Sequence, residues 1–296
     1  MFGTALLASG CSRPIEERTA REKKIVAAHK RVINLAKEEK ADPYWQAAAD
    51  EVAREPEDVL ARPASNTPSP VARLVRGSHL KKRLLLSFDD GPHPQSTPVL
   101  LKILHEEKVP ATFFVIGKMA KKRPDLIVAI HQAGQTLANH SFSHVTLSKL
   151  SPEDQRIEYR ANNDLIRKLT GVQMRFCRPP GGDLTNETIR AGQDEGLTTV
   201  LWTDDPGDFA NPGPGIVLDR TLKRLSKGGV ILLHDGAPDT MAVLKELIHE
   251  ARARGYEFTT PGQMLKDLDE LNEPLAVRNA RQLVAQKEMR DAAKAR

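Results

Sequence analysis

From residue 84 onward the chain alternates short apolar runs with longer stretches whose apolar residues recur at helical spacing. The runs at 84–86, 111–116, 135–138, 174–177, 197–202, 229–233 and 257–260 are too short for helices and mostly close on Gly, Pro or polar residues, so they predict buried strands. Helical periodicity falls between them, at 97–107, 152–169 and 241–254 among others. The second of these opens at Ser151 with Asp154 three residues on, an N-terminal capping pattern. Seven strands alternating with helices over short connections predict an α/β layer or barrel built on a parallel sheet. Before residue 80 the pattern changes. Ile25, Val26, Ile33 and Leu35 recur at helical spacing among charged residues, and no Gly or Pro interrupts 15–42. Asp42-Pro43 opens a second helix over 44–54. Residues 14–62 are therefore expected to form a helical hairpin, 63–79 a Pro/Ser-rich linker, 80–272 the main domain and 273–296 a basic helical tail.

Composition narrows the class. The 296 residues suffice for one large domain with appendages, and 40% hydrophobic with 28% charged residues is ordinary for a soluble protein. Aromatic residues make up only 4%, which argues against a long cleft paved with sugar-stacking rings. The net charge of +5 is unevenly placed: Lys and Arg against Asp and Glu number 16 to 11 before residue 84, 22 to 26 over 84–274, and 6 to 2 beyond. The basic flanks do not interleave with aromatic residues, so no nucleic-acid partner is expected. A solvated helical face or a weak attraction to an anionic wall polymer or membrane surface accounts for them. At the start, Leu6-Leu7-Ala8-Ser9-Gly10-Cys11 resembles a bacterial lipoprotein signal. Residues 1–13 would then be its remnant, Cys11 a lipid anchor, and the protein exported to the envelope or periplasm. The stretch is short for a whole signal and has no Lys or Arg before it, so chance likeness is the competing reading. Cys177, the other cysteine, reads as a buried thiol.

Reactive side chains sit where the apolar runs end. The first run passes into Ser87-Phe88-Asp89-Asp90-Gly91-Pro92, two adjacent carboxylates before a Gly-Pro chain reversal. Neighbouring side chains at a strand end point to opposite faces, so one acid can bind a cation while the other stays free to take a proton. Taken alone, the same stretch is an ordinary acidic turn. His140 and His144 follow, four apart; on a helix or helical turn their rings would share one face and could share a metal. With Asp90 they form a set of two imidazoles and a carboxylate, which leaves an open position for water. Zinc suits such a set, and so do cobalt and nickel. Three further blocks follow: Arg178-Pro179-Pro180-Gly181-Gly182, the stretch from Trp202 through Asp208-Phe209, and the run ending at His234-Asp235.

Five such blocks in this order resemble the polysaccharide deacetylase family (the NodB homology domain, carbohydrate esterase family 4), and in particular peptidoglycan N-acetylglucosamine deacetylases. The resemblance covers about residues 80–272. It implies a distorted (β/α)7 barrel with Asp89 as catalytic base, Asp90, His140 and His144 as the metal triad, and Arg178 orienting the base. It further implies His234 as general acid with Asp208 as its charge partner, Leu232 lining the acetyl pocket, Pro180 and the Gly181 N–H beside the oxyanion, and Phe209 as an apolar wall. Two positions depart from the family pattern: Gly181 stands where an aromatic is common, and Phe209 where Trp is usual. Both bear on how the sugar is gripped.

The function expected from this is metal-dependent removal of N-acetyl groups from a wall glycan, with peptidoglycan favoured, by a monomer. The competing expectations are a deacetylase or esterase of another polysaccharide, such as chitin oligomers, an exopolysaccharide or acetylated xylan, and a glycan-binding module without turnover.

Overall fold

The computed structural model describes residues 73–269, all within the second of the two units into which the chain divides, Ala64–Arg296. Among the described residues there are eight strands: β1 (Arg73–Leu74), β2 (Arg83–Asp89), β3 (Thr112–Val115), β4 (Thr136–Asn139), β5 (Phe176–Cys177), β6 (Thr198–Val200), β7 (Gly229–His234) and β8 (Glu257–Thr259). The helices between and after them are α1 (Thr97–Glu107), α2 (Gly117–Lys122), α3 (Pro124–Gln132), α4 (Pro152–Thr170), α5 (Asn186–Asp194), α6 (Pro214–Arg224), α7 (Pro238–Ala253) and α8 (Pro261–Asp269). Ser151 caps α4 as its sequence implies, its hydroxyl accepting the Asp154 N–H, and Gly171 ends that helix in the left-handed conformation.

Every strand pairing is parallel, in the order β1-β6-β5-β4-β3-β2-β7, with β8 paired to the first half of β2. The row closes on itself just past β6. Thr203 and Asp204 donate to the Val230 carbonyl at 2.9 and 3.1 Å, and Leu232 N–H returns to the Asp204 carbonyl at 2.8 Å. A short bridge between Asp204 and Ile231 thus turns the sheet into a barrel.

Alternation along each strand divides the core into two. Leu84, Leu86 and Phe88 of β2, Phe113 and Val115 of β3, and Ile231 and Leu233 of β7 pack outward with the helices. Leu85, Phe114, Ala138, Phe176, Val200 and Val230, each one residue out of phase with that set, fill the barrel, and Met264 and Leu268 of α8 close it from below. Continuing the inward phase along the chain leads from Leu85 to Asp89, from Ala138 to His140, from Phe176 to Arg178 and from Val230 to His234. The period of two therefore carries all four reactive side chains to the C-terminal mouth of one barrel, where barrel enzymes build their sites.

Two expectations need correction. The linker anticipated up to residue 79 ends earlier, because β1 already pairs with β6 at Arg73 and Leu74, and Leu74 and Val75 are wholly buried. Two apolar residues are too few to register as a strand by periodicity. The sheet accordingly holds eight strands where periodicity predicts seven, with seven in the row and β8 off it against β2. The expected signal remnant with Cys11, the hairpin and the basic tail lie outside the described residues.

Candidate active site

Asp89 ends β2 with its side chain buried, and Arg178, following β5, meets it at 2.6 Å through Nη1. The guanidinium is wholly buried. Its Nε donates to the Val200 carbonyl at 3.0 Å and its Nη2 to the Leu201 carbonyl at 3.3 Å. It also lies 4.0 Å over the Phe114 ring and 5.5 Å from that of Trp202. Every face of the cation is therefore occupied, which offsets the cost of taking it out of water. One Asp89 oxygen is tied to Arg178, and the other lies 3.6 Å from His140 Nε2.

Asp90 leaves the strand at a positive φ of 72°. That rotation overturns the expectation of opposite faces: Asp89 and Asp90 turn to the same opening, and both lie near His140. Gly91 follows against Asp235, so closely that a Cβ at this position would collide with the Asp235 carboxylate. Asp235 accepts hydrogen bonds from Ser96 and Thr97 hydroxyls and donates its N–H to the Asp89 carbonyl at 2.8 Å, fixing the turn from behind.

The histidine pair is not helical. Residues 140–146 are irregular, and Ser141 and His144 both take φ of 60°. The rings nevertheless come to 5.1 Å between centroids, because the loop folds back. His140 Nδ1 donates to the Arg178 carbonyl at 2.7 Å, which leaves Nε2 with its lone pair toward the opening. His140 Nε2 and His144 Nε2 lie 3.4 and 3.0 Å from the same oxygen of Asp90, Oδ1. Four ligands at about 2.0–2.1 Å in a tetrahedron stand roughly 3.3 Å apart, so these three donors fit one zinc-sized ion. All three ligand atoms lie within 4.8 Å of one another. Asp90 Oδ1 is shielded from solvent and accepts no well-aligned hydrogen bond, as a ligand atom awaiting a cation would be. Burial opposes the Asp90 carboxylate, but the adjoining imidazoles outweigh it and hold the acid well below the usual carboxylate range.

Across the mouth, His234 ends β7. Asp208, wholly buried, accepts its N–H at 2.7 Å and its Nδ1 at 2.8 Å, and takes a further hydrogen bond from Thr240. Burial disfavours the imidazolium, yet the hydrogen bond and charge of Asp208, with Asp89 and Asp90 beyond, raise the His234 pKa to about 9. Phe209 is 63% exposed and stands edge-on to the His234 ring at 5.5 Å. Leu232 and Pro180 are buried, and Gly181 takes a φ of 63° with nothing within 4 Å of where a Cβ would be. Glu158, Asn139 and Asn162, which hold the 139–144 backbone, do not stand out in the sequence. A signal is there nonetheless: Asp154, Glu158 and Asn162 recur every four residues on one face of α4, and all three are buried.

The sequence matches the polysaccharide deacetylase family over residues 76–200. It is 33% identical over 191 residues to a peptidoglycan-N-acetylglucosamine deacetylase of Bacillus cereus, covering 63% of this chain and 89% of the relative. It is 37% identical over 185 residues to a chitooligosaccharide deacetylase of Sinorhizobium fredii, covering 58% and 86%. Among solved structures, the Bc1960 peptidoglycan N-acetylglucosamine deacetylase superposes with a TM-score of 0.64 at 27% identity over 66% of this chain and 92% of that one. Wild-type BA3943 of Bacillus anthracis, described as a CE4 family pseudoenzyme, does so at 0.64 and 28% identity over 67% and 69%. With the barrel, the order of its reactive strand ends and these relatives in agreement, the chain belongs to the polysaccharide deacetylase family, carbohydrate esterase family 4.

Proposed function

We propose that this protein is a metal-dependent hydrolase that removes N-acetyl groups from a cell-wall glycan, N-acetylglucosamine of peptidoglycan first among them. The observation that carries the reading is the meeting of three donors, Asp90, His140 and His144, beside an Arg178-bound Asp89 and opposite an Asp208-bound His234. A divalent ion in that triad, zinc by preference with cobalt or nickel also suited, would supply a water of lowered pKa and a Lewis-acid contact to the acetyl carbonyl. Asp89 is the base: Arg178 holds one oxygen, leaving the second to accept a proton on the side of His140. His234 is the acid. Its Nδ1 is engaged by Asp208, so the proton given to the departing amine comes from Nε2. The Gly181 N–H serves the developing oxyanion. Leu232 borders the acetyl methyl, Pro180 shapes the turn above it, and Phe209 offers the sugar an apolar face.

The higher identity to a chitooligosaccharide deacetylase keeps short chitin oligomers as the second reading. Gly181, bare of a side chain in open space, favours the bulkier polymer, since no wall rises there against it. Substrate in the wall would place the protein outside the cytoplasm, lipid-anchored where Cys11 is modified, and acting as a monomer. No helix among the described residues is long and apolar enough to cross a membrane. Acetate release from purified peptidoglycan, chitopentaose and an acetyl ester, assayed side by side with zinc present, tests the choice. The greatest kcat/KM on peptidoglycan is expected. Preference for the pentasaccharide would transfer the assignment to chitin oligomers, and no release from any would leave a glycan-binding role.

A further inference from the structure

The loop carrying His140 and His144 has no regular structure of its own, and two of its non-glycine residues, Ser141 and His144, are left-handed. Such a conformation persists only where neighbours over-determine it. The neighbour is Glu158 of α4, 2% exposed. Its Oε2 accepts the N–H groups of Phe142 at 3.0 Å and Ser143 at 2.8 Å, and its Oε1 accepts the Ser143 hydroxyl at 2.6 Å. The Ser141 hydroxyl oxygen accepts the His144 N–H at 2.9 Å. Glu158 thus holds the two residues immediately before a metal-triad histidine. Among the described residues no Lys or Arg forms an ion pair with it, so its carboxylate is engaged by the loop's own donors. Asn162, one turn along the same helix face, donates its Nδ2 to the Ser141 carbonyl at 2.9 Å.

We propose that Glu158 is a positioning residue for the metal: it presets the 141–144 backbone so that His144 meets His140 and Asp90 before an ion arrives. The inference rests on the metal reading above. Glu158→Gln keeps the shape but turns one acceptor oxygen into an NH2 that faces the loop's donors. Zinc affinity, measured by competition with a chromophoric chelator, is expected to fall about 10- to 100-fold, the range for lost partners behind metal ligands. The visible spectrum of the cobalt-loaded protein should change with it. Glu195→Gln is the control: it removes the partner of Arg156 and Arg160 elsewhere on α4, and zinc affinity should stay at the wild-type value. Zinc binding in Glu158→Gln within twofold of wild type, or an equal loss in Glu195→Gln, would overturn the proposal. Should Glu158→Gln not fold, Ser143→Ala decides, since it removes the hydroxyl that Glu158 Oε1 accepts and leaves the three metal donors in place: a fivefold or greater loss supports the role, and unchanged affinity removes it. A wild-type protein that binds no zinc would sink the metal reading itself, a result distinct from wild-type binding that Glu158→Gln shares.

Discussion

His234 carries its proton at neutral pH because its pKa stands near 9, above the ordinary value of 6.5. With His234 as the proposed acid, the proton that amide cleavage must deliver would be in place before substrate arrives. Raised in the fold, this group adds stability that is full below about pH 6.5 and lost as pH rises through about 9. Asp208→Asn removes the charge that holds the imidazolium. The basic limb of the kcat/KM profile should then move to lower pH, and a limb that stays put would show that another group sets it. Asp89→Asn keeps the shape of the base and removes its function, so turnover should drop by about two to four orders of magnitude while zinc still binds. Undiminished turnover in this variant would exclude Asp89 as the base. Which residues the fold brings together is largely legible at this scale, since Asp89-Asp90, His140/His144, Arg178 and His234 are the chemical groups that end buried runs. How they point is not. The positive φ at Asp90 and His144 comes from contacts with residues distant in sequence, Asp235 at the Gly91 turn and Glu158 under the loop.

Strands are legible as elements because burial on both faces makes parallel strands continuous apolar runs. β1 leaves no such trace because it contributes only two residues to its ladder, and the histidine segment reads as a helical turn because a spacing of four also fits a folded loop. The same alternation that is readable in β3 places Phe114 under the Arg178 guanidinium at 4.0 Å. Phe114→Ala should cost about 3–5 kcal/mol in urea unfolding, because it opens a cavity in the barrel and strips one face from a buried cation. A loss below about 1 kcal/mol would show that the interior collapses around the gap. α4 is the element whose role the sequence conceals. Its buried polar face reads as solvent-exposed until the loop it supports is in view.

Across the molecule, the proposed metal triad sits at the mouth while both apolar clusters lie below it, so fold and metal are separable. Treatment with a chelator should abolish turnover yet leave the far-ultraviolet circular dichroism unchanged, and zinc should restore activity and raise Tm by mass action. Unfolding on metal removal would contradict that separation. The opposite end of the barrel is held differently. Asp267 of α8, 1% exposed, takes Arg83 at 2.6 Å and Lys81 at 2.9 Å, which fastens the last described helix to the segment entering β2. That helix works as a stopper. Without it, solvent would rise through the shaft to the underside of Phe114 and Arg178, and the higher local dielectric would loosen the grip of guanidinium on Asp89. A protein cut after Thr260 should thus fail at its far end first, losing hydrolysis although every reactive side chain is still encoded.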